Sequence, residues 1–315
     1  MTRVAAIDCG TNSIRLLVAD LPTVDGVGAP LTDVVRRMEI VRLGEGVDRT
    51  GRLAPAAIER TRVALADYAA QIVECGAERV RMVATSATRD AANGDDFQAM
   101  VGSTLGVPPE VVTGDEEARL SFLGAVRGLP ATAGAPYLVV DIGGGSTEFV
   151  LGGDDGEDAG RVQHAVSVDI GCVRMTERHL RDDPPTPDQV AAAEADVSAA
   201  VERALQTVPA KRARTLIGLA GSVTTVAALA LRLNAYDPAR IHHARIPYAD
   251  VAAVTGNLLA LTHEQRLTLP PMHPGRADVI GAGALILRVL MEGVGADAVI
   301  ASEHDILDGI AWSLA

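Results

Sequence analysis

The chain of 315 residues contains three cysteines, a single lysine and no long apolar stretch. Cys9, Cys75 and Cys172 are odd in number and far apart in sequence, which argues against a disulfide framework and favours reduced thiols. No uninterrupted apolar run reaches the roughly 18 residues of a membrane span, and no signal-peptide pattern precedes the first predicted strand. The sequence therefore predicts a cytoplasmic protein with no membrane segment.

Basic residues are also scarce, because 28 Lys and Arg stand against 41 Asp and Glu, for a net charge of −13. Broad binding to nucleic acid or to anionic lipid draws on clustered excess Lys and Arg, so neither partner is expected. A polyanionic substrate would therefore have to be bound by donor groups gathered at one site. Apart from Lys211 the basic residues are all arginine, whose planar group suits bidentate phosphate contacts, although a genomic preference for arginine is the alternative explanation.

One motif occurs twice in the chain, in residues 4–18 and 138–150. In each copy an apolar run rich in β-branched residues ends in Asp, small residues follow, and a second apolar run begins, which predicts a hairpin with a polar turn. Asp, Gly and Ser recur at a constant offset of 133 residues. This repetition indicates an internal duplication that produces two similar halves facing one another.

The two turns are predicted to bind phosphate. Three consecutive glycines, Gly143, Gly144 and Gly145, remove side chains from the second turn and let backbone N–H groups approach an anion closely. Either turn alone is equally compatible with a simple tight hairpin, but two copies headed by Asp favour an anion site. Additional side-chain donors are expected from Thr11, Asn12, Ser13, Ser146 and Thr147.

Acidic residues flank both turns. Asp141 and Glu148 lie at the entry and exit of the second turn, and Asp8 lies at the entry of the first. Carboxylate oxygens suit Mg²⁺ or Mn²⁺ held jointly with phosphate oxygens, so these three residues are candidate metal ligands. For Glu148 the alternative is a purely structural role as a cross-strand partner.

Two further segments are candidates for phosphate contacts. Gly221 and Ser222 follow a predicted buried strand and open a helix, which is an arrangement that binds anions or simply caps the helix. Arg89 follows another strand among hydroxyl residues, where it is either a phosphate clamp or a surface arginine on a loop.

Strands and helices alternate in the first half of the chain, and residues 128–136, rich in Gly, Pro and Ala, mark the predicted domain boundary. The resulting domains comprise residues 1–128 and 129–302, consistent with about 150 residues per domain. A C-terminal helix near 303–315 is expected to complete the first domain, and residues from 244 onward are predicted to be mostly helical.

Five segments in this order, residues 8–17, 84–91, 114–120, 141–148 and 221–225, resemble the exopolyphosphatase/guanosine pentaphosphate phosphohydrolase (Ppx/GppA) family. That family lies within the sugar kinase, actin and chaperone superfamily. The resemblance implies an α/β fold of two ribonuclease H-like domains around a central cleft. It also implies dependence on Mg²⁺, stimulation by K⁺ and a homodimer, in a short form without the C-terminal helical domain of longer members.

The resemblance further implies residue roles. Glu117 would be the general base or would position the attacking water, with the adjacent Glu116 as the alternative. Asp141 and Glu148 would hold metal and orient the nucleophile, while the two turns and Arg89 would bind the terminal phosphates.

The expected function is exopolyphosphatase activity, in which water releases orthophosphate from the end of inorganic polyphosphate. Removal of the 5′-terminal phosphate of guanosine pentaphosphate is an alternative on the same site. A sugar kinase or ATPase is a further alternative, but no pocket for adenine or a sugar can be located in the sequence. A non-catalytic sensor that binds polyphosphate or an alarmone is the alternative from another class.

Overall fold

The computed structural model describes residues 2–22, 30–130, 133–153 and 161–315, so positions 131 and 132 of the predicted linker lie outside the described residues. The chain divides into two compact units. Unit 1 comprises Met1–Gly128 and Asp305–Ala315, and unit 2 comprises Leu129–His304.

The strands of unit 1 are β1 (Arg3–Cys9), β2 (Ser13–Asp20), β3 (Thr32–Ile40), β4 (Arg79–Ala84) and β5 (Glu110–Val111). The strands of unit 2 are β6 (Tyr137–Ile142), β7 (Thr147–Gly152), β8 (Val162–Val168), β9 (Thr215–Leu219), β10 (Arg245–Pro247) and β11 (Ala298–Ala301).

The helices before β9 are α1 (Val47–Thr50), α2 (Pro55–Cys75), α3 (Ser86–Asp90), α4 (Gly94–Leu105), α5 (Gly114–Val126), α6 (Cys172–His179) and α7 (Pro187–Thr207). Those after it are α8 (Ala220–Ala230), α9 (Pro238–Ile241), α10 (Tyr248–Ala260), α11 (His263–Leu267), α12 (Ile280–Val294) and α13 (Ile306–Trp312).

The two sheets share one topology. In unit 1 the strand order is β3-β2-β1-β4-β5, with β1, β2 and β3 antiparallel and β4 and β5 parallel to β1. In unit 2 the strands β8-β7-β6-β9-β11 repeat this order and these directions, and β10 adds an antiparallel edge. The duplicated sequence motif therefore builds the β1–β2 hairpin in unit 1 and the β6–β7 hairpin in unit 2.

Helices cover both faces of the unit 1 sheet, as the continuous apolar run of β1 requires. Ala5 and Ile7 pack in the cluster that includes α2 residues, whereas Val4 and Ala6 pack in the cluster that includes α5 and α13 residues. These four β1 side chains are fully buried. Strand β1 is at the centre of the sheet and is buried on both faces, and it positions the turn that follows it.

Helix α13 packs closely against α5 through glycine. A Cβ atom at Gly309 would overlap the backbone of Leu120, and one at Gly124 would overlap the backbone of Asp305. The C-terminal segment, from Asp305, therefore belongs to the core of unit 1.

The structure differs from the predicted elements at short segments. Strands β10 and β11 lie in the region predicted to be mostly helical, and α3 occupies a segment for which no helix was expected. Elements of three to five residues are too short to show a hydrophobic period, so the sequence pattern gave no signal for them.

Within the described ranges, no helix has both the length and the apolar character needed to cross a bilayer. Cys9, Cys75 and Cys172 are all thiols.

Candidate active site

The two duplicated turns close with the same hydrogen bond. The N–H group of Gly10 donates to the carbonyl of Ser13, and that of Gly143 donates to the carbonyl of Ser146, each with an N···O distance of 3.0 Å. The predicted correspondence between the turns therefore extends to backbone geometry.

The first turn is anchored to neighbouring segments of unit 1. The carbonyl of Thr11 accepts from the N–H group of Gly44 at 2.8 Å, and the buried Thr11 hydroxyl lies 2.9 Å from the hydroxyl of Ser86 at the start of α3. Within the described residues, the side chains of Asn12 and Ser13 make no hydrogen bond. Asn12 and Ser13 are thus more available to a ligand than Thr11, whose hydroxyl already has a partner.

The second turn lies against the N-terminus of α6. The carbonyls of Gly143 and Gly144 accept from the N–H groups of Cys172 at 2.9 Å and Arg174 at 3.1 Å. The carbonyl of Gly145 accepts from Nε of Arg174 at 2.7 Å. No hydrogen bond from the N–H groups of Gly144 or Gly145 is present within the described residues. Successive N–H groups without an internal acceptor, in a turn whose carbonyls are held elsewhere, are suited to bind an anion.

This contact requires glycine at residue 171. A Cβ atom at Gly171 would overlap the backbone of Gly144, so only glycine lets α6 approach the turn so closely. Thr147 is used structurally, because its hydroxyl donates to the carbonyl of Ile170 at 2.6 Å. Ser146 is buried beside it.

Asp141 and Glu148 are directly opposite each other on the antiparallel strands β6 and β7. Opposed residues project to the same face of a sheet, so the two carboxylates are neighbours. Both are buried, with exposures of 8% and 1%, and Oε1 of Glu148 accepts from the hydroxyl of Ser167 on β8 at 2.7 Å. Two buried carboxylates side by side repel each other unless a cation joins them, which fits the donor set of a divalent metal site.

Asp8 has a different partner at the equivalent place in unit 1. It is opposite Arg15, which lies 133 positions before Glu148. Arg15 donates to Oδ2 of Asp8 through Nε at 2.9 Å and Nη2 at 2.6 Å, and its Nη1 donates to Asp305. Oδ1 of Asp8 is buried without a hydrogen-bond partner in the described part of the chain. Asp8 therefore retains one oxygen for a metal, but its charge is already balanced by Arg15.

Burial raises the pKa of the Asp8 carboxyl above its usual range, and the guanidinium of Arg15 opposes that shift. Among the described residues, no group of three or more His, Cys, Asp or Glu side chains could hold a metal by themselves. The neighbouring carboxylates of Asp141 and Glu148 match the one or two carboxylates that Mg²⁺ usually takes from a protein, where substrate phosphate oxygens and water supply its other ligands.

Glu117 and Arg89 meet in unit 1. Glu117 lies in the first turn of α5, is 8% exposed, and its Oε2 accepts from Nη1 of Arg89 at 3.0 Å. The same Nη1 donates to the carbonyl of Val112, also at 3.0 Å. Arg89 is therefore held in a fixed position at the end of α3. The contacts that hold it are with protein groups, so its predicted contact with phosphate stays a prediction.

Glu116 has a different environment from Glu117. Its side chain is 42% exposed, and its carboxylate lies 3.6 Å from Nη2 of Arg81. Its backbone N–H is capped by the hydroxyl of Thr113. Of the two adjacent glutamates, only Glu117 is buried beside Arg89, and this favours it as the functional carboxylate.

Gly221 and Ser222 lie at the start of α8, just after Ala220, whose φ of 66° is in the left-handed region that non-glycine residues seldom adopt. The side chains of Ser222 and Cys172 both lie beside Gly283, and burial raises the pKa of the Cys172 thiol to about 11. Because Cys172 also contacts Gly143, the structure brings the start of α8 to the second turn. The Cys172 thiol itself remains protonated at neutral pH and is no nucleophile.

Sequence reasoning did not assign Ser167 or Arg15, and it left Arg276 as either a loop residue or a contact to a polyanion. The Arg276 guanidinium packs on Gly221 and its Nη1 donates to Thr225 at 3.2 Å. Arg15 could have been found, because the offset of 133 residues aligns it with Glu148. Nothing in the sequence connects Ser167 to the site, since it lies on a separate strand.

A profile described as the Ppx/GppA phosphatase family matches residues 23–315. The chain belongs to the Ppx/GppA phosphatase family. The family predicted from the five sequence segments is thereby confirmed, and so is the predicted class of two ribonuclease H-like α/β domains.

Several known proteins are similar to this chain along nearly its whole length. A protein from Mycobacterium tuberculosis named Exopolyphosphatase 2 is 55% identical over 327 residues, covering 100% of this chain and 99% of its own. A protein from Aeromonas hydrophila named guanosine-5′-triphosphate,3′-diphosphate pyrophosphatase is 28% identical, covering 98% of this chain and 59% of its own. A crystal structure of an exopolyphosphatase-like protein superposes with a TM-score of 0.93 at 45% identity, covering 99% and 98% of the two chains.

Proposed function

We propose that the protein is an exopolyphosphatase, which hydrolyses the terminal phosphoanhydride bond of inorganic polyphosphate. The observation that carries the proposal is the full-length similarity to Exopolyphosphatase 2 of Mycobacterium tuberculosis. The pair of buried carboxylates at the second turn, Asp141 and Glu148, supports it because hydrolysis of a polyanion needs metal ligands beside an anion-binding turn.

In the proposed reaction, the oxygen of a water molecule attacks the terminal phosphorus in line with the bridging oxygen. The P–O bond to the rest of the chain breaks, so orthophosphate leaves together with a polyphosphate shortened by one unit. Glu117 positions the water and accepts its proton, and Arg89 fixes the Glu117 carboxylate in place. Phosphoryl transfer asks a protein mainly for positioning and electrostatic stabilisation, which such groups supply.

The terminal phosphates are proposed to bind to backbone N–H groups of the glycines in the second turn and to polar side chains of the first. Residues 11–13, Gly143 to Thr147, Gly221, Ser222 and Arg89 form the predicted set. Within it, the N–H groups of Gly144 and Gly145 and the side chains of Asn12 and Ser13 have the strongest support, because protein contacts do not use them.

Asp141 and Glu148 would hold Mg²⁺, or Mn²⁺ in its place, and Oδ1 of Asp8 would be a further oxygen ligand. When bound, such an ion neutralises charge on the transferring phosphoryl group. Stimulation by K⁺, a homodimer and a cytoplasmic location remain predictions from the sequence.

Guanosine pentaphosphate is the second candidate substrate, favoured by the similarity to the Aeromonas hydrophila enzyme named for a guanosine polyphosphate. Both substrates present a terminal phosphoanhydride, so the same carboxylates and turns serve either one. The lower identity to that protein ranks this function second.

The test is orthophosphate release from polyphosphates of defined short and long length, and from guanosine pentaphosphate, with Mg²⁺ and with a chelator. We expect release from polyphosphate that requires the metal and is abolished in Asp141→Asn, while Glu116→Gln, exposed beside Arg81, serves as the matched control. Faster release from guanosine pentaphosphate would establish the alternative. If calorimetry showed that polyphosphate binds but no phosphate were released in the presence of Mg²⁺, the protein would be a non-catalytic sensor and not an enzyme.

A further inference from the structure

Unit 2 contains a cavity of about 740 Å³ that the proposed reaction does not use. It lies at the beginning of the parallel strands β6, β9 and β11, where Leu138, Thr215 and Ala298 line it. Asp141 is three residues farther along β6, at the opposite end of the strand, a separation of about 10 Å at the usual rise per residue. The cavity volume falls within the range of small-molecule sites in proteins.

Three cationic side chains line this cavity, Lys211, Arg214 and Arg245, against one carboxylate, Asp297. This local excess of positive charge contrasts with a chain whose net charge is −13. Lys211 and Arg245 are exposed, and neither forms an ion pair or side-chain hydrogen bond with another residue in the described part of the chain. Their charges are therefore available to a ligand rather than balanced by the protein.

The cations come from two segments that the sheet brings together. Lys211 and Arg214 lie in the connection between α7 and β9, and Arg245 begins β10, which pairs with β11. Ile300 is opposite Arg245 on β11, so its apolar side chain lies on the same face of the sheet as that cation. Cations that converge from two separate segments on a partly apolar concave surface are typical of an anion site.

We propose that this cavity binds a phosphate-rich anion, in addition to and independently of the substrate site. Arginine favours phosphate through its planar, bidentate donor group, and three cations match a ligand that carries several phosphate charges. The shared chemistry is the phosphate chain, which either a nucleoside triphosphate or a short polyphosphate supplies. A nucleotide would place its base against the apolar side chain of Ile300.

The test uses the whole protein in metal-free buffer with a chelator, where the proposed hydrolysis is absent. ATP, tripolyphosphate and orthophosphate are titrated calorimetrically into the native protein, into the double variant Lys211→Ala/Arg245→Ala, and into Arg212→Ala. Arg212 is the matched control because it is exposed, carries the same charge and adjoins Lys211, but does not line the cavity. Both substituted cations are exposed and unpaired, so the double variant should melt at the native temperature.

We expect at least one of the first two probes to bind the native protein and the control equally. Loss of two charge-assisted contacts should weaken that binding by about 100-fold in the double variant. Tighter binding of ATP assigns the cavity to a nucleotide, and tighter binding of tripolyphosphate assigns it to a polyphosphate chain. Absence of binding by all three probes, or equal binding to the double variant and the control, would overturn the proposal. Neither result bears on phosphate release, so the proposed function is tested separately.

Discussion

Replacing Glu117 by glutamine isolates the proton-accepting role proposed for this side chain. Glutamine has nearly the same size, and its amide oxygen can still accept from Nη1 of Arg89, which now lies 3.0 Å from Oε2 of Glu117. The substitution therefore keeps the packing and the hydrogen bond but removes the base. Positioned general bases contribute about 10²- to 10⁴-fold to rate, so we expect kcat to fall by at least about 100-fold. This loss corresponds to about 2.7 kcal/mol in the activation barrier.

The stability effect of Glu117→Gln should be much smaller than the kinetic one. Loss of a charge that is paired with a partly exposed arginine, at a helix N-terminus, costs about 1 kcal/mol. In a chain of this size that cost lowers the melting temperature by only about 2–4 °C. KM should change little, because the proposed role of Glu117 is to position the attacking water rather than to bind the phosphates.

The assay is initial-rate phosphate release from polyphosphate at saturating Mg²⁺, with the melting temperature measured on the same samples. Glu116→Gln is the matched control, and we expect its kcat to stay within about twofold of native because its exposed carboxylate makes only a distant pairing with Arg81. If Glu116→Gln lost turnover and Glu117→Gln kept it, the base would be the neighbouring residue. If both variants kept it, neither glutamate would be the base.

Three other changes test the structure directly. Ser167→Ala removes the hydroxyl that donates to Glu148 and orients this proposed metal ligand. We expect the Mg²⁺ concentration that gives half-maximal activity to rise about 10-fold. An unchanged concentration would indicate that Glu148 does not bind the metal. Gly309→Ala forces a methyl group into the backbone of Leu120, so the free energy of unfolding, measured with denaturant, should fall by at least about 2 kcal/mol. A variant as stable as the native protein would contradict the α5–α13 packing. Burial lowers the pKa of His243 below its usual value of 6.5. Below pH 6.5 the unfolded state therefore binds more protons than the folded state, and the free energy of unfolding falls as the pH drops. His243→Asn, which tolerates the φ of 63° at this residue, should flatten the dependence of melting temperature on pH, and an unaltered slope would refute the assignment.

Much of the fold could be predicted from the sequence because its signals are local and repeated. The β-branched runs before Asp8 and Asp141, the small residues that follow, and the constant offset of 133 residues led to two matching hairpins. The long helices α2 and α7 both begin at a proline, and the first helical position is where proline is favoured, so the sequence marks where they start. Short elements such as β10 and α3 were missed, because three to five residues are too few to show a hydrophobic period.

The choice between Glu116 and Glu117 illustrates where sequence reasoning ends. Two adjacent glutamates at a helix start have the same local signal, and the helix dipole favours both. They differ in burial and in their arginine partners, Arg81 for one and Arg89 for the other. Those differences depend on which side of α5 faces the core, and hence on long-range packing.

The sequence by itself determined the family, the duplicated hairpins and the carboxylates at their turns, because each is encoded within a few consecutive residues. The tertiary structure alone decided that Arg89 contacts Glu117 while Ser167 donates to Glu148, and that α6 holds the carbonyls of the glycine turn. It also decided that Lys211 and Arg245 share a cavity. Such contacts join residues distant in the chain, and they form only when strand register and helix packing bring the side chains together.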